Sequence, residues 1–117
     1  MKLVTAIIRD NNYYETKAAL LAEHFFSLST YRVLGRGREQ QMYAINDSDV
    51  RKSIKKYPFV SKRIIEIYIE EKEVERLIRT ILSVNQTGNK GDGKIFVTPV
   101  EEVIRIRTKE TGIEALA

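Results

Sequence analysis

In the stretch Lys62 to Ile69 (KRIIEIYI), an extended chain puts Ile65, Ile67 and Ile69 on one side and Ile64, Glu66 and Tyr68 on the other, because successive strand side chains point to opposite faces. The alternation is that of a strand. Just beyond it, Val74, Leu77, Ile78 and Ile81 recur at i, i+3, i+4 and i+7, the spacing of one helical face. Glu70, Glu71 and Glu73 are placed in the first turn of that helix, where acids favour its dipole. A strand with an apolar face and a helix with an apolar stripe must bury them against another layer. The pair therefore demands a sheet with helices packed on it.

The first half of the chain has the same order. Leu3 to Arg9 (LVTAIIR) is short and rich in β-formers, Asp10-Asn11-Asn12 breaks it and offers caps, and Tyr14, Ala18, Leu21 and Phe25 then fall at helical spacing. That helix is expected to run to about Phe26 with those four residues in the core. Ser29 to Gly35 reads as a second strand and Lys94 to Val97 as a further one, with a shorter run from Glu101 to Thr108. The resulting order, β-α-β, long connection, β-α-β, is that of an α+β, ferredoxin-like (βαββαβ) antiparallel sheet with two helices on one face. Such a sheet leaves its second face bare, and apolar residues remain for it. Burial against further copies in a closed cyclic assembly is expected.

The connection between the halves, residues 37–61, exceeds the ordinary loop length. It carries Arg51, Lys52, Lys55 and Lys56, then Tyr57, Pro58 and Phe59. One reading is a solvated basic face; the other is an arm that offers charge and aromatics to a partner and orders on ligand binding.

Composition narrows the chemistry. A chain of 117 residues, 43% apolar and 31% charged, is one domain with its own core. It has no apolar run of about 18 residues and no signal-peptide core at its start, so a cytoplasmic location is expected. The absence of cysteine removes disulfides and thiolate chemistry, and the single histidine, His24, removes most histidine metal and triad sites. His24 falls in the helical pattern and is read as an ordinary surface or partly buried residue. The net charge of +4 suits an anionic ligand and is too small to argue for nucleic acid.

The chemistry-bearing stretch is TGNKGDGKIFVTPVEEVIRIRT, from Thr87 to Thr108. Gly88, Gly91 and Gly93 free the backbone to turn its N–H groups into a nest for an anion. Asp92 lies inside that turn and Lys94 at its exit. If Val103 to Arg107 is a strand, Arg105 and Arg107 share a face and form a fork for phosphate oxygens. Gly88 to Lys94 has the spacing of a P-loop, yet Ile95 stands where that motif needs Ser or Thr, and a helix precedes the glycines instead of following them. The plainer alternative is a helix-capping glycine followed by a loop. Gly35-Arg36-Gly37-Arg38 begins like a dinucleotide fingerprint but has Gln40 at the last glycine position.

These residues resemble a known family. The Thr87 to Thr108 segment is similar to the C-terminal signature of the PII signal-transduction proteins, and GRGR to the base of their long T-loop; NNYYETKAAL and VNQTGN resemble the nitrogenase-associated branch. The resemblance spans nearly the whole chain. It implies a homotrimer with ATP or ADP in three inter-subunit clefts, a T-loop over residues 37–61 that docks on a target, and a C-terminal tail over 108–117. By position, it implies that Gly91, Asp92, Gly93 and Lys94 cradle phosphates and that Arg105 and Arg107 grip them, one from across the subunit boundary. Gly37 and Arg38 would complete the site, with Ser29 at a common threonine position and Tyr68 near the adenine. Lys62 matches the lysine that pairs with 2-oxoglutarate.

Two departures bear on that implication. Glu39 replaces the glutamine that coordinates magnesium beside 2-oxoglutarate, which adds negative charge next to a dianion. Gln40-Gln41 replaces the Lys-Gly of the motif, and neither Tyr43 nor Tyr57 has the context of a uridylylated tyrosine. The expected function is a non-enzymatic nucleotide sensor whose targets include nitrogenase, an ammonium transporter or another nitrogen-metabolism protein, without membrane insertion. A second reading is a divergent adenylate or carbon-status sensor that does not use 2-oxoglutarate. A nucleic-acid-binding sheet is a remote third, because GKIFVTPV lacks the exposed aromatic pattern of RNA-binding strands. A nucleotide hydrolase would need a general base, for which only Asp92 or Glu39 is at hand.

Overall fold

The structure is a computed structural model that describes residues 1–37, 41–43, 54–56 and 58–116, the backbone alone for 41–43 and 54–56. The elements run β1 (Lys2–Arg9), α1 (Tyr13–Ala22), β2 (Ser29–Gly35), β3 (Gln41–Tyr43), β4 (Ile54–Lys56), β5 (Val60–Ile69), α2 (Val74–Asn85) and β6 (Lys94–Pro99). One sheet has the order β2-β5-β1-β6, and all its neighbours are antiparallel. This is the expected ferredoxin-like arrangement.

Alternation along the strands decides what is buried. Val4, Ala6 and Ile8 of β1 and Ile65 and Ile67 of β5 pack with Leu20 of α1 and Leu77 and Ile81 of α2 to form the core. A polar tie joins the helices within it: the Asn85 side-chain amide donates to Thr16 Oγ1 (3.0 Å), whose hydroxyl donates to the Asn12 carbonyl (2.7 Å). The other sheet face, with Leu3, Ile7, Tyr31, Ile64, Tyr68 and Phe96, carries no helix. Tyr31, Tyr68 and Phe96 are each nearly half exposed there.

Four features differ from the sequence expectations. In α1 the buried residues are Tyr13, Thr16 and Leu20, whereas Tyr14 is 68% and Leu21 58% exposed and Ala18 is also exposed. Apolar residues lie on both sides of this helix, so spacing alone does not fix which side faces the sheet. The helix also ends at Ala22, short of Phe26. His24 there adopts a left-handed conformation (φ +66°), and its N–H bonds to Leu21 O (3.0 Å) while that of Phe25 bonds to Leu20 O (2.9 Å). This is a Schellman stop with histidine in the usual glycine place, closed by the buried Phe25 against Leu20. His24 is thus a terminator outside the helix.

Within residues 37–61, β3 and β4 pair antiparallel from Gln41↔Lys56 to Tyr43↔Ile54, where the sequence showed no strand pattern. Finally, Val103 to Arg107 is not a strand. The only pairing there is an isolated Ile104↔Thr111 bridge, and the chain turns at Ile106 to Thr108 before Lys109 takes φ +63°. Without a partner strand nothing enforces the alternation that would put Arg105 and Arg107 on one face.

Candidate anion cleft at the glycine loop

The loop between α2 and β6 is built around the carboxylate of Asp92. Its Oδ2 accepts the backbone N–H groups of Thr87 (2.7 Å) and Gly88 (2.9 Å), and its Oδ1 accepts the Thr87 hydroxyl. Arg9, at the end of β1, donates from Nη1 to Asp92 Oδ1 (2.7 Å) and from Nη2 to Lys90 O (2.9 Å). Hydrogen bonds from Thr87 and Arg9 hold the Asp92 carboxyl well below the usual carboxylate range. The nest expected from the glycines thus receives an internal anion, Asp92 itself. Lys62 anchors the next peptide by donating to Gly91 O (2.7 Å).

Gly93 sets the loop against the sheet. Its φ is +110°, and a Cβ there would lie 1.8 Å from the Ile7 carbonyl oxygen. Only glycine permits this approach. Lys94 follows at once as the first residue of β6, opposite Ile7.

Between this loop and the end of β2 lies a cleft of about 510 Å³, lined among others by Gly35, Arg36, Gly37, Lys62, Gly93 and Lys94. The structure therefore brings Gly37, Lys62, Gly91, Gly93 and Lys94 together, with Asp92 as the brace behind them. Ser29 and Tyr68 are elsewhere. Ser29 begins β2, opposite Glu66, whereas Gly35 at the cleft ends it, opposite Val60. At ~3.3 Å per residue the two ends are ~20 Å apart.

Arg105 and Arg107 do not line the cleft either. Arg105 donates to Glu110 Oε1 (2.9 Å) and Glu114 O (2.9 Å), held by the C-terminal segment, and Arg107 is exposed in the turn. Arg38 and Glu39 lie outside the described residues, so the metal reading at Glu39 has no geometry. Among the described residues no cluster of three or more His, Cys, Asp or Glu is placed to hold a metal ion. Sequence reasoning missed Arg9, which is 83 positions from its partner Asp92.

The model of the family described as "Nitrogen regulatory protein P-II" matches residues 1–110. The chain belongs to the P-II family. Two relatives named "Nitrogen fixation nifHD region GlnB-like protein 2" are similar to it over almost their whole length. That of Methanobacterium ivanovii is 38% identical, with 99% of each chain covered. That of Methanothermobacter marburgensis is 40% identical, covering 99% of this chain and 100% of the relative. Among solved structures, one titled "Structure of B. subtilis GlnK" superposes with a TM-score of 0.77 at 31% identity, covering 98% of this chain and 97% of the other. P-II proteins are regulatory by name, and the nitrogen-fixation branch expected from NNYYETKAAL and VNQTGN is the one these two relatives carry in theirs. No helix of the described residues is long and apolar enough to cross a membrane.

Proposed function

We propose that this chain is a P-II regulator that binds ATP or ADP in clefts between the subunits of a homotrimer and signals through a T-loop spanning residues 37–61. The observation that carries the proposal is the division of the site. The cleft residues Gly37, Gly91, Gly93 and Lys94 do not meet Ser29 and Tyr68 within one chain: Ser29 and Lys94 lie on the two edge strands, β2 and β6, and Tyr68 lies toward the end of β5 away from Gly35. A head-to-tail ring that covers the bare sheet face would bring one chain's Tyr68 end to the next chain's glycine loop. Asp92 contributes as the brace that fixes the loop, and Lys94 supplies charge for the phosphates. Arg105 and Arg107 reach the nucleotide from the subunit boundary, with Arg38 closing the site from the T-loop base.

In this reading the protein is cytoplasmic and does no chemistry on the nucleotide. Differential contact of ATP and ADP with Lys94 and the T-loop base biases the loop, and that bias controls docking on a nitrogen-metabolism target such as nitrogenase. Magnesium, held through Glu39, and 2-oxoglutarate, paired with Lys62, are the further ligands. The specific observation favouring a sensor without 2-oxoglutarate is that Lys62 is already bonded to Gly91 O.

Calorimetric titration with ATP, ADP and AMP, each with magnesium and with or without 2-oxoglutarate, tests the proposal alongside the mass in solution. A trimeric mass with three nucleotides per trimer is expected. A monomer, or a trimer that binds no adenine nucleotide, overturns it. Stronger ATP binding with 2-oxoglutarate present selects the nitrogen-sensor reading, and no change selects the adenylate sensor.

A further inference from the structure

A second concave site lies beyond the nucleotide cleft, on the helix-bearing side of the same sheet end. The cleft is about 490 Å³, and its lining includes Asp10, Asn11, Arg32, Ser61, Arg63 and Lys90. That volume is in the range of small-ligand pockets. Arg9 and Lys62 are also at its wall, Arg9 paired with Asp92 and Lys62 with Gly91 O, while Arg32 and Arg63 share the one carboxylate of the lining, Asp10.

The arrangement is costly for folding alone. Arg32 of β2 and Arg63 of β5 are direct cross-strand partners, and like charges in that position destabilise a sheet. One acid compensates for both: Asp10 Oδ1 accepts from Arg63 Nε (3.1 Å) and lies 3.6 Å from Arg32 Nε, while Ser61 Oγ donates to Oδ2 (3.1 Å). Arg63 is fixed by a second contact, its guanidinium 4.0 Å from the Tyr13 ring centroid, and its side chain is only 11% exposed. Arg32 remains 67% exposed. Asn11, in the 3-10 turn Asp10–Asn12, and Tyr14 bring the start of α1 to the same cleft; the Tyr13 N–H is bonded to Asp10 O, and no side chain caps the helix N-terminus. Its amides add partial positive charge on that side. A fixed arginine, an exposed arginine, a lysine and a helix start around one concavity are the components of an oxyanion receptor.

We propose that this outer cleft is a second anion site that takes a phosphate dianion, free or as the terminal group of a phosphomonoester, between Arg32, Lys90 and the start of α1. It is separate from the nucleotide site: Arg32, Arg63 and Asp10 do not line the nucleotide cleft. The two share Val60, Lys62, Lys90 and Gly91 as a common wall.

The test is an NMR titration of the intact protein at low ionic strength with inorganic phosphate and, separately, glycerol 3-phosphate, with ATP saturating the first site throughout. Saturable amide shifts at Asn11, Arg32, Ser61 and Arg63 are expected. Arg32→Glu should weaken phosphate about tenfold or more, as loss of a charge-assisted contact and gain of repulsion require, while ATP affinity measured by calorimetry stays within about twofold. Equal binding of both probes assigns the phosphoryl group as the feature recognised, and binding of phosphate alone assigns the free ion. Absence of shifts at these residues with either probe, or unchanged phosphate affinity in Arg32→Glu, overturns the proposal. Arg32→Lys, which keeps the charge and the fold, should retain most of the affinity.

Discussion

Replacing Gly93 by alanine tests the packing of the glycine loop on the sheet most directly. The added Cβ would sit 1.8 Å from Ile7 O and 2.9 Å from Ile7 C, both backbone atoms that cannot rotate away. Relief requires the loop and the first residue of β6 to part from β1, which undoes the Ile7↔Lys94 end of the ladder. The positive φ costs about 1–2 kcal/mol for a residue with a Cβ, and the lost ladder contact about another 1 kcal/mol. The sum is ~3 kcal/mol, or a fall of roughly 10 °C in Tm for a chain of this length. Gly88→Ala is the control, because φ there is +83° but no atom lies within 4 Å of the new Cβ. Its cost is the backbone term alone, ~1 kcal/mol. Thermal unfolding followed by circular dichroism, at one fixed protomer concentration so that assembly does not confound it, measures both. Equal losses for the two variants would refute the close-approach argument.

Three further outcomes are expected. His24→Gly should stabilise the protein by ~1 kcal/mol in urea unfolding, because glycine takes the left-handed position at the end of α1 without the penalty histidine bears. Asp92→Asn should remove an acid-sensitive component of stability. The native carboxyl is held below its ordinary value of 3.8, so its contribution is complete above that value and is lost as pH falls from there toward the depressed native value. Urea midpoints between pH 6 and pH 3 should therefore fall more steeply for wild type than for the variant. If the nucleotide site is shared between chains, Lys94→Ala and Tyr68→Ala should each weaken ATP binding. Co-refolded mixtures of the two should regain wild-type sites, and calorimetry that finds none in the mixture would place the whole site within one chain.

How far the sequence could be read follows from where each residue's environment is set. β5 was legible because it is a central strand flanked by β1 and β2, so its alternation answers to a helix layer on one side only. The stripe of α2 was legible because its outer face is charged. α1 was misphased because Thr16, polar by type, is fully buried once its hydroxyl is satisfied, whereas Tyr14 and Leu21 remain outside. The cleft was half legible: glycines and a lysine in one segment gave Gly91, Gly93 and Lys94. Arg9 gave no local signal, because its role exists only after β1 is laid beside β6. The strand reading of Val103 to Arg107 failed for the opposite reason, since a strand periodicity has meaning only where a neighbouring strand pairs with it.

Of the two like-charged cross-strand pairs at this end of the sheet, Arg9↔Lys62 and Arg32↔Arg63, the first bears on the observed shape of the glycine loop. Neither pair would persist without compensation. On the helix side Asp10 supplies it; on the other, Asp92 engages Arg9 while the carbonyls of Lys90 and Gly91 turn to Arg9 and Lys62. The loop conformation is therefore set by strand charges as much as by its glycines. An anion that draws Lys62 away leaves the Gly91 carbonyl without that donor, at a cost of about 1–3 kcal/mol if no other donor replaces it. Ligand charge at Lys62 and loop geometry are consequently coupled through one hydrogen bond. Under the proposed nucleotide reading, this is a direct physical route from the occupancy of the cleft to the backbone that shapes it.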